Sequence, residues 1–427
     1  MKKSYLLLAS MTLLLLGCEK DPDEFSNANQ PQKDIVEEGF SFGGMSTDAA
    51  VINGAGGSTR ITVTAQSDWT LTSNAEWLTF SPASGKAGTH TITVTSAKNN
   101  DGKERTGDIT VSGSTLPKLS ICQRPYIYSR KQSIAGNVSN SVTCTYSNIE
   151  LNWMYFILPL PKTNMYQDIS NMLIHSAQQH ECPDSVNSYI TVYCEAGGIP
   201  ASGRDMISES FHAVAYEVKA NLDLIKNIPA YDPESEPCKK YLGKEDGDLI
   251  NPTNSTIATL ANNMWQTTNG DLIKYARKCY EWTAQNINYG NMNTGLHTIS
   301  DLMSSRTGDC GNFSSVFISL LRAKGIPARH IVMISPQELG YHVRAEFYIP
   351  GYGWIPADPT FKNSNPSGDY FGKFTGQYVV VSFGVNLECR QWDDEYFTAS
   401  LLQSYCYWYS GYGVGPVRTQ HSFSRFQ

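Results

Sequence analysis

The sequence predicts a multidomain chain: one β-sandwich, then a second, then an α+β domain. Three observations support this. From about Phe40 to Arg124, short runs such as "STRITVTA", "HTITVTSA" and "RTGDITVSG" alternate β-branched and polar residues, and turn clusters such as "GAGG" and "SPASGKAG" separate them. From Tyr126 to about Ala230 the alternating runs lengthen, as in "NSYITVYCEAGG" and "SESFHAVAYEVKANL". At Ser255 the apolar spacing changes to a helical period. A length of 427 residues agrees, since ~100–200 residues make one domain.

Taken in order, the elements begin with "MKKSYLLLASMTLLLLGCEK". Two lysines precede an apolar run too short to span a bilayer, the pattern of a secretory signal. The small residue before Cys18 resembles the bacterial lipobox, which implies cleavage after residue 17 and lipid on Cys18. The polar, acidic stretch 18–39 reads as a flexible tether. It resembles the export signal of Bacteroidetes surface lipoproteins. The expectation is an outer-membrane lipid anchor, facing either the cell exterior or the periplasm.

The segment 40–124, with "SDWTLTSNAEWLTFSPASGKAG", "ERTGDITV" and "LSICQ", resembles a BACON domain. The resemblance implies a β-sandwich beside glycan-active modules, with possible glycan contact by residues 40–124. Trp69 and Trp77 either stack on sugars or fill the core, and a domain this small needs large apolar residues inside. The β-rich region 125–250 follows. Its "EDGD" lacks the full spacing of a calcium loop and reads as solvated.

In the core, 251–370, a first helix places Ile257, Leu260, Ala261, Met264 and Trp265 on one face. A second places Leu272, Ile273, Ala276, Cys279 and Tyr280, with Asn269 or Asp271 as its cap. A third starts near Cys310 and ends at Gly325 and Pro327. Strands "ARHIVMI" and "YHVRAEFYIP" follow, then "GYG" and "WIPADPTF". The C-terminal extension, 371–427, reads as further sheet completing the catalytic domain.

Composition narrows the function classes. A net charge of −7 with no basic run argues against a nucleic-acid partner. The ten cysteines form no CxxC or Cys/His cluster, so no metal or other cofactor is expected, while export permits disulfides.

Candidate chemistry starts in "RTGDCGNFSS". Cys310 lies at a helix start, where unpaired N–H groups and the helix dipole favour thiolate. Asp309 either caps that helix or does chemistry, and Gly308 and Gly311 leave room for a substrate backbone. His342 alternates with Val343, on the polar side of its strand with Arg344, Glu346 and Tyr348. Asp358 follows a short hairpin that brings it toward the imidazole. Cysteine on a helix start with His and Asp on neighbouring strands suits acyl transfer.

"GDCGNFSSVFISLLRAKGIPARHI" and "YHVRAEFYIPGYGWIPADPTF" resemble the transglutaminase-like superfamily of papain-like cysteine enzymes. The resemblance implies Cys310 as nucleophile, His342 as general base and acid, and Asp358 as the residue orienting His342. Many relatives have a tryptophan soon after the histidine, where this chain has "HVRAEF". Tyr289, read as ending the second helix, is a candidate oxyanion or groove residue, with packing as its other reading. Trp354 either walls the groove or packs. The expected reaction is hydrolysis of an amide in a peptide, protein or glycopeptide through a thioester. Protein cross-linking and a non-catalytic surface binding lipoprotein are the alternatives.

Overall fold

The computed structural model describes residues 39–42, 50–65, 67–112, 118–175, 177–195, 204–290 and 295–427. The expected leader and the lipidation of Cys18 lie outside them. Among the described residues no helix is long and apolar enough to cross a membrane, and no cluster of three or more His, Cys, Asp or Glu is placed to hold a metal ion.

The N-terminal domain is two sheets face to face. One orders Gly39–Phe42, Gly57–Ala65, Gly88–Ser96 and Leu78–Ser81. The other orders Ala50–Ile52, Leu119–Gln123, Arg105–Ser112, Trp69–Ser73 and Ser84–Gly85. Alternation does the sorting: Ile61, Val63, Ile92, Val94, Ile109 and Ile121 point inward and are buried, while the threonines between them face out. Trp69 is buried in this core, its Nε1–H donating to the Lys86 carbonyl at 3.0 Å. Trp77 packs against the same core with the Arg105 guanidinium over its ring at 4.6 Å. Both indoles are held by packing.

The middle region is a second pair of sheets built on long strands. Tyr128–Tyr146 pairs antiparallel with Arg204–Ala220, flanked by Gln167–His175 and Val417–Phe423. The facing sheet orders Gln178–Glu181, Ser188–Glu195, Ile149–Leu160 and Cys406–Gly413. The tail therefore departs from the sequence expectation. Only Val379–Phe383 joins the sheet built on Ala328–Ser335, while 406–413 and 417–423 extend the two middle sheets. Strand propensity gives no partner, so sequence could not make that division.

Among the described residues six α-helices follow: α1 (Glu236–Tyr241), α2 (Ser255–Thr267), α3 (Leu272–Asn286), α4 (Ile299–Ser305), α5 (Cys310–Arg322) and α6 (Pro359–Ser364). Caps set their starts. Asn254 accepts from Thr256 and Ile257, and Asp271 rather than Asn269 accepts from Lys274. α3 stops at Asn286, so Tyr289 lies beyond it in a two-residue strand, Asn288–Tyr289. Helix α5 runs through the middle of the core. Phe313, Val316, Phe317, Leu320 and Leu321 are 0% exposed, each worth ~1.5–3 kcal/mol of burial. Its serine face is buried too. Ser319 donates to the Ser315 carbonyl, and Ser315 meets the buried His330 ring at 3.1 Å.

The sheet that packs on α5 orders Gly353–Ala357, Gly340–Ile349, Ala328–Ser335 and Val379–Phe383, all antiparallel. It does not stand apart from the middle region. Val138, Phe211 and Ala213 of the long strands share one cluster with Val332, Ile334 and Val343, and Cys310 packs against it.

Candidate active site

Asp309 is the cap of α5: its Oδ1 accepts from the Asn312 N–H at 3.1 Å. That fixes Cys310 as the first helical residue, whose N–H has no partner within the helix. A Cβ on Gly308 would meet the Asn312 Cβ at 2.5 Å, so internal packing calls for glycine there. One on Gly311 would meet the end of the Leu296 side chain at 2.7 Å.

Cys310 is a partly exposed free thiol. The N–H groups of Val343 and Gly311 lie within hydrogen-bonding reach of its sulfur. Val343 follows His342 in the strand, so thiol and imidazole belong to one junction between α5 and the sheet that packs on it. The expected thiolate-favouring environment is reversed. Burial foremost, and then the Asp309 carboxylate, push the thiol up to about 12, against the lowering effect of the two N–H groups. The capping charge that starts the helix opposes the helix dipole at the sulfur.

His342 Nε2 lies 2.7 Å from Asp358 Oδ2. This leaves Nδ1 as the ring nitrogen not engaged by Asp358. The ring is clamped in place: Phe361 stacks on it at 4.6 Å and 15°, and Tyr378 lies 5.4 Å away. Asp358 holds two posts at once. Its Oδ1 caps α6 by accepting from the Phe361 N–H at 2.9 Å, with Pro359 in the first helical position, while Oδ2 holds the imidazole. Burial would raise this carboxyl. The charges of His342 and Arg344 outweigh it and hold the group below the ordinary carboxylate range.

The strand's expected polar side is interior. His342 is 6% exposed, and Arg344 and Glu346 are 0%. Arg344 lies 3.3 Å from Asp358 Oδ2, and Glu346 accepts from Arg329 at 2.7 Å and from the Tyr166 hydroxyl at 2.5 Å. The middle region supplies much of the cover, through Tyr166 and Val218 against Met333, Phe374 and Tyr378. From the tail, Gln403 Nε2 donates to the carbonyls of His342 (3.0 Å) and Met333 (3.1 Å). Sequence reading missed Arg344, Phe361, Tyr378 and Gln403 as supports. Alternation did place Arg344 on the histidine's side of the strand, a usable signal, while Gln403 had none.

Of the two accessory candidates, one is near the site and one is not. Tyr289 pairs with Gly308 in a parallel bridge and is 61% exposed. Its phenol lies close enough to Cys310 for a thiolate there to raise its pKa, after burial. Trp354, open in sequence between groove wall and packing, packs. It stands across from Tyr348 with the Arg329 guanidinium 4.1 Å over its ring, lining a cavity of about 380 Å³ that excludes Cys310, His342 and Asp358. Trp354 and Asp358 are separated by roughly 13 Å of strand at ~3.3 Å per residue.

Residues 258–359 match the model of the transglutaminase-like superfamily. The chain carries a transglutaminase-like domain. Residues 67–124 match the BACON model, a candidate N-terminal binding domain, so the strand-rich N-terminal region holds a BACON domain ahead of the transglutaminase-like one. An uncharacterized protein of Haemophilus influenzae is 31% identical over 114 residues, which are 20% of this chain, and the chain spans 31% of that relative's length. A candidate cysteine protease from Cytophaga hutchinsonii is 15% identical, with 70% of this chain and 100% of that one covered at a TM-score of 0.46. The periplasmic domain of TgpA from Pseudomonas aeruginosa is 13% identical, with 53% and 89% covered at 0.29.

Proposed function

We propose that this chain is a cysteine hydrolase that cleaves an amide or peptide bond through a thioester on Cys310. The observation that supports it best is the His342–Asp358 contact of 2.7 Å, in a strand whose next N–H reaches the Cys310 sulfur. The thiol is protonated at rest, because burial holds its pKa high. His342 Nδ1 takes that proton as the sulfur attacks the substrate carbonyl carbon. The resulting oxyanion is met by the Cys310 N–H at the helix start. His342 then hands the proton to the leaving amine, the C–N bond breaks, and a thioester remains. Water gives a proton to His342, adds to the thioester, and releases the acid with the thiol restored. Asp358 keeps Nε2 engaged and stabilises the imidazolium, and Arg344 keeps Asp358 ionised.

The substrate class is a peptide, protein or glycopeptide. The leader and "LLGC" support export and anchoring to the outer membrane through lipid on Cys18. The test is iodoacetamide alkylation with peptide mapping at pH 7, beside a screen of peptide amides. Cys310 should label ahead of the buried cysteines, and His342→Ala should slow it. Equal labelling in wild type and His342→Ala, with no turnover of any amide, would overturn the proposal.

A further inference from the structure

The middle region carries a second concavity, remote from Cys310, that the hydrolase reading leaves unused. It is a depression of about 640 Å³ between the Gln178–Glu181 and Ser188–Glu195 strands and the loop after Leu387–Arg390. The buried side chains of Tyr155 and Thr191 lie at its base.

An aromatic cluster borders it. Trp392 lies 4.6 Å from Trp153 and 5.4 Å, edge-on, from Tyr155, while Tyr193 stacks on Trp153 at 6.1 Å and 27°. Tyr193 is 43% exposed, and Trp392 is half-buried where it packs, with Trp408 at 6.1 Å, against the core that holds Tyr155. The loop that presents Trp392 is held in shape. The Gln391 N–H donates to the Glu395 carbonyl at 2.7 Å, and the Tyr155 hydroxyl donates to the Arg390 carbonyl at 3.0 Å.

The polar lining is neutral in sum. Gln178 and Gln391 offer carboxamides. Arg390 and Asp394 are already paired at 2.8 Å. His180 meets the Thr191 hydroxyl at 2.9 Å, and burial, with the Arg390 charge, lowers its pKa. Such a lining has no surplus charge to draw an ionic ligand. It offers donors and acceptors together beside aromatic faces, which matches a pyranose with its apolar C–H face and its rim of hydroxyls.

We infer that this groove of the middle region binds a neutral oligosaccharide, with Trp392 and Tyr193 as the stacking platform and Gln178, His180 and Gln391 as hydroxyl partners. This site is separate from residues 40–124, where Trp69 is committed to the core.

The experiment is calorimetric titration of the full chain with cellohexaose, xylohexaose, mannohexaose and chitohexaose, and with an uncharged hexapeptide. At least one oligosaccharide should bind. Trp392→Ala should weaken it by about tenfold or more, while Trp392→Phe keeps part of the affinity. Gln178→Ala, on an exposed rim position, should weaken it several-fold with an unchanged melting temperature. Failure of all four sugars to bind at millimolar concentration would overturn the inference. So would sugar binding unaffected by both Trp392→Ala and Gln178→Ala, or binding of the hexapeptide alone. None of these outcomes bears on hydrolysis at Cys310.

Discussion

Glu209 sits where the middle sheets meet the sheet that packs on α5, and replacing it with glutamine makes a quantitative test. The carboxyl is 1% exposed. Its Oε1 accepts from Asn140 Nδ2 at 3.1 Å, while Oε2 has no partner. Asn140 Oδ1 accepts from His421 Nε2 at 2.6 Å, and His421 Nδ1 accepts from the hydroxyl of Tyr341, the residue before His342. His421 gives no compensating charge, because burial lowers it to about 4. Burial pushes Glu209 up to about 8, against the Asn140 hydrogen bond, from an ordinary 4.5. The folded chain therefore keeps a proton that the unfolded chain releases between those two values, so stability falls as pH rises through that window. The slope is about 1.4 kcal/mol per pH unit, or roughly 2–3 kcal/mol between pH 6 and pH 8. Glutamine keeps the shape without the proton. Thermal melts followed by circular dichroism at pH 6, 7 and 8 should show wild type losing about 5–10 °C across the range and Glu209→Gln losing clearly less. Equal pH slopes in the two proteins would refute the reasoning.

The other predictions concern the candidate site. Cys310→Ala should abolish turnover with the melting temperature unchanged, and surviving hydrolysis would exclude the thiol. Arg344→Met should lower kcat and move the acid limb of the rate profile upward. Asp358 then loses a charge that holds its carboxyl low, so it protonates at a higher pH; an unmoved limb would show that Arg344 does not tune Asp358. Asp358→Asn should also flatten the acid end of the stability curve. A depressed carboxyl stabilises the fold above its unfolded value near 3.8 and loses that contribution as pH falls through its folded value, which acid titration of the two proteins compares. Gly308→Ala should cost about 1–3 kcal/mol in urea unfolding, because its Cβ meets the Asn312 Cβ, fixed on α5, at 2.5 Å.

What the sequence by itself determined was local. Period-2 alternation placed strands, 3.6-residue spacing placed α2, α3 and α5, and Asp309 followed by an apolar helix put Cys310 at a helix start. The order Cys310, His342, Asp358 and the strand parity that sets His342 beside Arg344 were legible for the same reason: each depends on a few neighbours along the chain. Tertiary structure alone decided the rest. It reversed the expected ionisation of Cys310, because desolvation sums over everything packed around the sulfur and outweighs a helix end. It carried Trp354 away from the thiol to Arg329, since four residues of extended strand separate it from Asp358. It sent the tail back to the middle sheets, where Gln403 holds the His342 carbonyl across a gap of 61 residues in sequence. No local signal encodes such a contact, because its free energy appears only once the chain has closed on itself.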